Sequence, residues 1–370
     1  MKSILSFFMA LVLILPLTST SVKDDNGEAL TGFKQARYAY TNKDEILNTK
    51  YVGTPSDETW SPDDEYDIDD TAVIYKEKGK DLTILNLTDI HLSDYDRRAF
   101  FGIYTLITAK RMIKRVKPDL ITVTGDNVCG DSTVYSIKRL TSFLDSFKIP
   151  WAPIFGNHDE EANCDKNYLA EVMQKSEYCL LKKGPSDMGV GNYIVNIAEK
   201  DGDKINVVHS LIMMDTHKSA LWDNQIEWYK WAAKGISEKM GHNVESSVLF
   251  HIPCAEYQYA YDEAWDASKH RWKDGYEAFG ALHEKICCAR DENGDPVNNG
   301  FFDAVNEVGT TKNIICGHDH MNNFSIVYKG VRLSYTLKDG TNSGFFYGYN
   351  GGTEIIVSDS GLTLRHRYCI

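Results

Sequence analysis

The sequence is poor in positive charge, in chain breakers and in long apolar runs, and each shortage excludes something. Its 40 Lys and Arg face 53 Asp and Glu, a formal net charge of −13, so the chain as a whole repels phosphate backbones and anionic lipid surfaces. Nucleic-acid binding through a basic face is thereby disfavoured. With 9 Pro and 27 Gly in 370 residues, 42% of them hydrophobic and 25% charged, the chain is neither fibrous, low-complexity nor disordered. One apolar run, Ile4 to Leu17, stands near the start, and it is shorter than the roughly 20 residues that span a bilayer. No later stretch is long and apolar enough to cross one, so stable membrane insertion is not expected once that segment is removed. No repeat or linker interrupts residues 80–370.

Met1 and Lys2 precede that run, and Thr18, Ser19, Thr20 and Ser21 follow it. Charged start, apolar middle and small-residue exit are the layout of a secretory signal peptide, with cleavage expected near Ser21. The chain is then expected to be secreted, or to enter the lumen of the secretory or lysosomal pathway. On that route the 8 cysteines, at 129, 164, 179, 254, 287, 288, 316 and 369, become candidates for disulfides. Cys254 and Cys316 flank polar loops described below and are expected to staple them. Two triplets, Asn86-Leu87-Thr88 and Asn323-Phe324-Ser325, fit the N-glycosylation pattern, the first inside an apolar run and so expected to be buried.

Three segments are expected: the signal peptide 1–21, an acidic lead segment 22–80, and one domain over 81–370. Ten acidic side chains lie between Asp44 and Asp70 against Lys50 alone, which reads as a solvated segment packed loosely along the surface. From Leu82 the texture changes. Apolar, β-branched runs at 82–87, 120–124, 151–155, 205–214, 247–250 and 312–316 alternate with amphipathic stretches at 103–116, 136–147 and 224–239. Strands alternating with helices predict parallel pairing and an α/β layered architecture.

Five of these strands run directly into polar clusters: Asp89-Ile90-His91, Gly125-Asp126-Asn127, Gly156-Asn157-His158-Asp159, His251, and Gly317-His318-Asp319-His320. The carboxyl ends of strands form the ligand crevice of open α/β sheets, so separate clusters can converge. The donors are carboxylate, amide oxygen and imidazole, without thiolate. That inventory suits two hydrolytic metal ions, zinc, iron or manganese, and not a structural thiolate zinc site.

Taken together and in order, these clusters resemble the motifs of the calcineurin-like metallophosphoesterases, over roughly residues 80–325. Thr88-Asp89-Ile90-His91, Gly156-Asn157-His158-Asp159-Glu160 and Gly317-His318-Asp319-His320 resemble the purple-acid-phosphatase-like branch. Asp215, Gln225 with Trp228, and Asn299-Gly300-Phe301-Phe302 add to that resemblance. It implies a layered β-sandwich flanked by helices, with βαβαβ elements and the metal site at strand carboxyl ends. It also implies that Asp89, His91 and His320 hold one metal ion, that Asn157, His251 and His318 hold the other, and that Asp126 bridges them.

One carboxylate between two cations offsets their repulsion and keeps them about 3.5–4 Å apart, with a bridging hydroxide as nucleophile for in-line attack on phosphorus. His158 would assist the leaving oxygen, and Asp159 would hold its other ring nitrogen. The implied activity is hydrolysis of small phosphate monoesters. Phosphodiester hydrolysis of the sphingomyelinase-like or nucleotide type is the alternative, and a non-catalytic binding protein on the same fold is a third reading. Where purple acid phosphatases carry the Tyr that colours their iron, this chain has Cys129, and its first motif adds His91. A colourless protein is expected, with Cys129 a disulfide partner or a buried thiol in preference to a ligand.

Overall fold

Short apolar runs bounded by polar turns become the buried strands of two sheets. A computed structural model describes residues 48–93, 99–130, 133–161, 163–201, 204–341, 344 and 348–369, with the pairs 22–23 and 29–30. The apolar run 4–17 and the expected cleavage point at Ser21 lie outside the described residues. In chain order the strands are β1 (Val22–Lys23), β2 (Ala29–Leu30), β3 (Ala72–Tyr75), β4 (Leu82–Leu87), β5 (Leu120–Thr124), β6 (Trp151–Ile154), β7 (Tyr193–Asp201), β8 (Lys204–Met213) and β9 (Glu245–Leu249). The chain continues with β10 (Trp265–Asp266), β11 (Arg271–Trp272), β12 (Ala278–Phe279), β13 (Thr311–Cys316), β14 (Ser325–Tyr328), β15 (Val331–Tyr335), β16 (Gly351–Ser358) and β17 (Gly361–Tyr368). The helices are α1 (Ala99–Val116), α2 (Thr133–Asp145), α3 (Lys166–Met173), α4 (Asp223–Met240), α5 (Glu256–Ala264) and α6 (Phe301–Val308).

One sheet has eight strands in the order β12-β14-β15-β13-β9-β8-β7-β3, the other five in the order β17-β16-β4-β5-β6. β4, β5 and β6 run parallel, as do β8, β9, β13 and β15. β5 and β6 are buried along their whole length, as parallel strands covered on both faces must be. A single apolar cluster joins both sheets and their helices, from Ile84, Leu85 and Ile121 to Val248, Leu249 and Ile315. Burying one such side chain is worth roughly 1.5–3 kcal/mol. The expected α/β sandwich flanked by helices is the observed architecture. Among the described residues no helix is long and apolar enough to cross a membrane.

The lead segment differs from expectation. β3 adds a parallel edge strand to the eight-stranded sheet, with Ala72 opposite Val195 and Tyr75 opposite Ala198. Upstream, Trp60 packs edge-on against Trp231 at 6.0 Å, and the Trp231 indole N–H donates to Asp64 O at 2.6 Å. Tyr66 is buried and its hydroxyl accepts from Asn196 Nδ2 at 2.8 Å. Residues 48–80 thus belong to the packed body. Three aromatic anchors and one four-residue strand fasten a segment whose carboxylates at 57, 58, 63–65, 67, 69 and 70 stay exposed, which is why composition alone read it as solvated.

All eight cysteines, among them Cys254 and Cys316 beside the ligand loops, stand as thiols in this structure. Asn86 and Asn323 are both buried, at 0% and 4% exposure. Neither triplet is therefore open to glycosylation in the folded chain.

Candidate metal centre

The two groups of parallel strands deliver the polar clusters to one place. β4, β5 and β6 are neighbours in one sheet, β9 and β13 in the other, so the loops leaving their carboxyl ends meet where the two sheets face each other. These loops turn abruptly. Asp89, His91, Asp126 and His318 take left-handed backbone conformations with φ of 51°, 48°, 49° and 74°, a region that costs a non-glycine residue roughly 1–2 kcal/mol. Four such residues among seven candidate ligands mark a site whose surroundings hold strained backbone in place.

Two glycines let the loops approach. A Cβ at Gly156 would lie 2.2 Å from Asp126 Oδ1 and 2.5 Å from Asp126 N, and one at Gly317 would lie 2.0 Å from Thr88 Oγ1. Gly156→Ala is accordingly expected to push the Asp126 loop outward. The variant should fold with lowered thermal stability and fail to retain metal through dialysis; a variant with parent-like metal content would contradict the packing described.

Asp126 stands at the centre. Its Oδ2 is 3.2 Å from His91 Nε2 and 3.1 Å from His251 Nε2, while Oδ1 accepts from His158 N at 2.9 Å. Asp89 divides its oxygens the same way. Oδ2 accepts from Thr88 Oγ1 at 2.9 Å and from His318 N at 3.0 Å, and Oδ1 faces His91 Nε2 at 3.7 Å and His320 Nε2 at 3.5 Å. Each carboxylate thus fixes a loop with one oxygen and presents the other to the site. His251 Nδ1 lies 2.8 Å from Thr124 O, which only an N–H can satisfy, so its Nε2 is the nitrogen left for a ligand.

Among the described residues two groups of metal-capable atoms overlap at Asp126, one with Asp89, His91 and His320 and one with His251 and His318, and a third joins His318 to Cys287 and Asp319, the atoms of each lying within 4.8 Å of one another. Asp89 Oδ1, Asp126 Oδ2, Asn157 Oδ1 and His251 Nε2 are buried without a hydrogen-bond partner. Leaving each such atom unsatisfied costs about 1–3 kcal/mol. Orphaned buried donors and acceptors are rare enough to require a cause, and two cations supply one. The residues therefore fit a binuclear metal site.

The electrostatics of the centre without metal agree with that fit. Burial would raise the Asp89 carboxyl, but the His320 and His91 side chains outweigh it and hold the group well below the usual range. Asp126 is likewise held low against burial, by His251 and His91. Burial would lower His251, yet the charge of Asp126 raises it to about 9. His318 is pushed down to about 4 by burial and by the charge of His251. The site therefore concentrates negative charge where cations would sit.

His158 lies at the edge of this cluster, its Nε2 4.0 Å from Asp126 Oδ2 and its ring half-exposed. The expected pairing with Asp159 is not formed. Asp159 is fully buried and accepts from Gly156 N at 2.7 Å, Val128 N at 3.0 Å and Asn127 Nδ2 at 3.0 Å. It caps the turn that carries Asn157, and its side chain faces away from the imidazole because three N–H donors claim it. The Nδ1 of His158 contacts the Glu161 carboxylate instead. Glu161 follows three residues on in the same turn, and that spacing was its signal in the sequence.

Lys338 had no such signal. It is buried 249 positions away and donates from Nζ to Asp89 O at 2.8 Å, holding the strained Asp89 peptide. Cys129 is a buried thiol donating to His91 O at 3.3 Å. It belongs to none of the groups of metal-capable atoms.

The family model described as Calcineurin-like phosphoesterase matches residues 82–322. The chain is 27% identical over 255 residues to "Probable inactive purple acid phosphatase 28" of Arabidopsis thaliana, covering 61% of this chain and 59% of that protein. It is 26% identical over 228 residues to "Phosphatase DCR2" of Saccharomyces cerevisiae, covering 57% of this chain and 37% of that protein. The chain thus spans about three-fifths or less of the length of these curated relatives. Among solved structures, a dimetal phosphatase from Danio rerio aligns with a TM-score of 0.44 at 11% identity, covering 76% of this chain and 98% of that one.

Proposed function

Because the chain belongs to the calcineurin-like phosphoesterase family, we propose that it hydrolyses small phosphate monoesters at a binuclear metal centre. The observation that carries this reading is that three orphaned buried atoms, Asp89 Oδ1, Asp126 Oδ2 and His251 Nε2, belong to two ligand groups that share Asp126. Asp89, His91 and His320 would hold one ion, Asn157, His251 and His318 the other, and Asp126 both. The donor chemistry suits iron, manganese or zinc. When bound, the ions supply Lewis acidity, neutralising phosphate charge and activating water near neutral pH.

The remaining tasks fall to side chains. Asp126 fixes the spacing of the two halves of the site and, through Oδ1, the backbone of His158. His158 donates a proton from Nε2 to the departing alcohol oxygen, and Glu161 holds the ring from Nδ1. Relatives whose names include the word inactive share about a quarter of their aligned residues with this chain. The presence in this chain of all seven proposed ligand residues and of His158 supports an active enzyme. The thiol at Cys129 supports a colourless one, and the apolar run 4–17 supports an exported one.

Metal analysis of the purified protein, paired with turnover of an aryl phosphate and an aryl phosphodiester, tests the reading. Two transition-metal ions per chain and faster monoester turnover are expected. A faster diester moves the assignment to a phosphodiesterase, and two ions without turnover of either leave a binding protein.

Metal loading should also depend on pH. With His251 raised to about 9 in the metal-free centre, an incoming ion must displace its proton. Apparent affinity at that half of the site should therefore fall about tenfold per pH unit from 8.5 to 7. Chelator-competition titrations read this slope, and a flat profile across that window would show that His251 is not a ligand.

A further inference from the structure

Trp222 is exposed to 49%, unusual for the largest apolar side chain, yet it is held rigidly. Its ring stacks on the His217 imidazole with centroids 3.6 Å apart and planes 7° from parallel. One carbonyl oxygen, Gln225 Oε1, fixes both partners, accepting from Trp222 N at 2.8 Å and lying 2.9 Å from His217 Nε2. His217 N donates to Asp215 Oδ1 at 2.9 Å, and Asp215 is anchored by the buried Lys166 at 2.8 Å. An exposed ring that has already lost its rotational freedom can stack on a ligand at little further entropic cost.

The position of this pair relates it to the metal centre. Ile252, the residue after His251, donates from its backbone to Thr216 Oγ1 at 3.1 Å, and Thr216 precedes His217. Lys218 reaches Glu160 at 3.5 Å, in the loop that carries Asn157 and His158. A small cleft beside this pair is walled by Thr216, Ala220, Leu221, Ile252 and Pro253. Its walls are mainly apolar, and two of them, Ile252 and Leu221, are the chain neighbours of His251 and Trp222.

We infer that Trp222, backed by His217, is the surface on which the alcohol half of the ester lies, and that this half carries a planar aromatic ring, as in an aryl phosphate or a nucleotide. The inference rests on the phosphoesterase reading for the phosphate half. The exposed surface of Trp222 recognises the ring, and the metal centre recognises the phosphate. Trp222 is then a specificity-determining residue that touches no reacting atom.

The test compares the metal-loaded parent with Trp222→Ala and Trp222→Phe on phenyl phosphate, a nucleoside monophosphate and methyl phosphate. Loss of a stacked ring is expected to raise KM about tenfold for the ring-bearing esters. Methyl phosphate kinetics and metal content should stay unchanged, and Trp222→Phe should recover most of the loss. A loss confined to phenyl phosphate or to the nucleotide tells which ring the surface serves. Equal shifts for methyl phosphate, or no shift at all, overturn the inference.

Calorimetric binding of phenylphosphonate and methylphosphonate reads the same surface without catalysis. If no ester is turned over but Trp222→Ala weakens phenylphosphonate alone, the phosphoesterase reading falls and the ring site stands. If the parent binds both phosphonates equally, the ring site falls whatever the turnover.

Discussion

Replacing Asp126 with Asn should give a folded chain that holds at most one metal ion and hydrolyses phosphate esters at less than about a thousandth of the parent rate. The magnitude follows from comparison with a smaller loss. Removing one neutral hydrogen-bond donor from an oxyanion site costs about 10²–10³ in rate, whereas this substitution removes a full charge shared by two cations. Asp126 is fully buried, so no solvent replaces what is lost. Its Oδ2 lies within about 3 Å of imidazoles from both halves of the site, 3.2 Å from His91 Nε2 and 3.1 Å from His251 Nε2.

Asn keeps the shape and can still accept from His158 N, so the variant isolates charge from geometry. With Oδ1 still accepting from His158 N, its NH2 would face the imidazole nitrogens of His91 and His251, where the second oxygen that could hold a cation is lost. Metal per chain by elemental analysis, together with single-turnover kinetics, measures the outcome. Two ions retained with near-parent turnover would sink the bridging assignment and with it the proposed mechanism.

The distribution of what could be read in advance follows from the same physics. β4, β5 and β6 are legible because strands covered on both faces are mainly apolar, and each ends at or one residue before its motif. The ligand candidates are legible because strand order carries them to one end of the sheets, so Asp89, Asp126 and Asn157 need no long-range information to be grouped. His251 and His318 follow from the second set of parallel strands.

What stayed hidden depends on contacts between distant segments. Trp60 and Tyr66 look like isolated aromatics in an acidic stretch until Trp231 and Asn196 are found beneath them. Lys338 becomes part of the site only because the segment after β15 passes behind Asp89, close enough that Asp339 N donates to Thr88 O at 3.0 Å. Asp159 and Glu161 were exchanged for a local reason. Both acids follow His158 in one turn, and the chain path, with Gly156, Val128 and Asn127 all donating to Asp159, decides which of them reaches the ring.

That exchange shapes the expectation for the leaving group. His158→Ala should lower turnover by about 10²–10⁴, the usual worth of a positioned general acid, while two metal ions per chain remain, because the imidazole belongs to neither ligand group. The loss should be graded. An alcohol that leaves poorly needs the proton most, so alkyl phosphates should suffer far more than a nitrophenyl ester, whose leaving group departs as a stable anion. Glu161→Gln should cost less, about tenfold, since the His158–Glu161 pair is half-exposed and such pairs orient a ring more than they stabilise the fold. Asp159→Asn should behave differently from both, loosening the turn that carries Asn157 and lowering metal content together with rate. Loss of metal in His158→Ala would place that imidazole among the ligands and leave the leaving oxygen without its donor. A rate loss that is uniform across leaving groups would show that His158 binds the phosphate instead of protonating the alcohol.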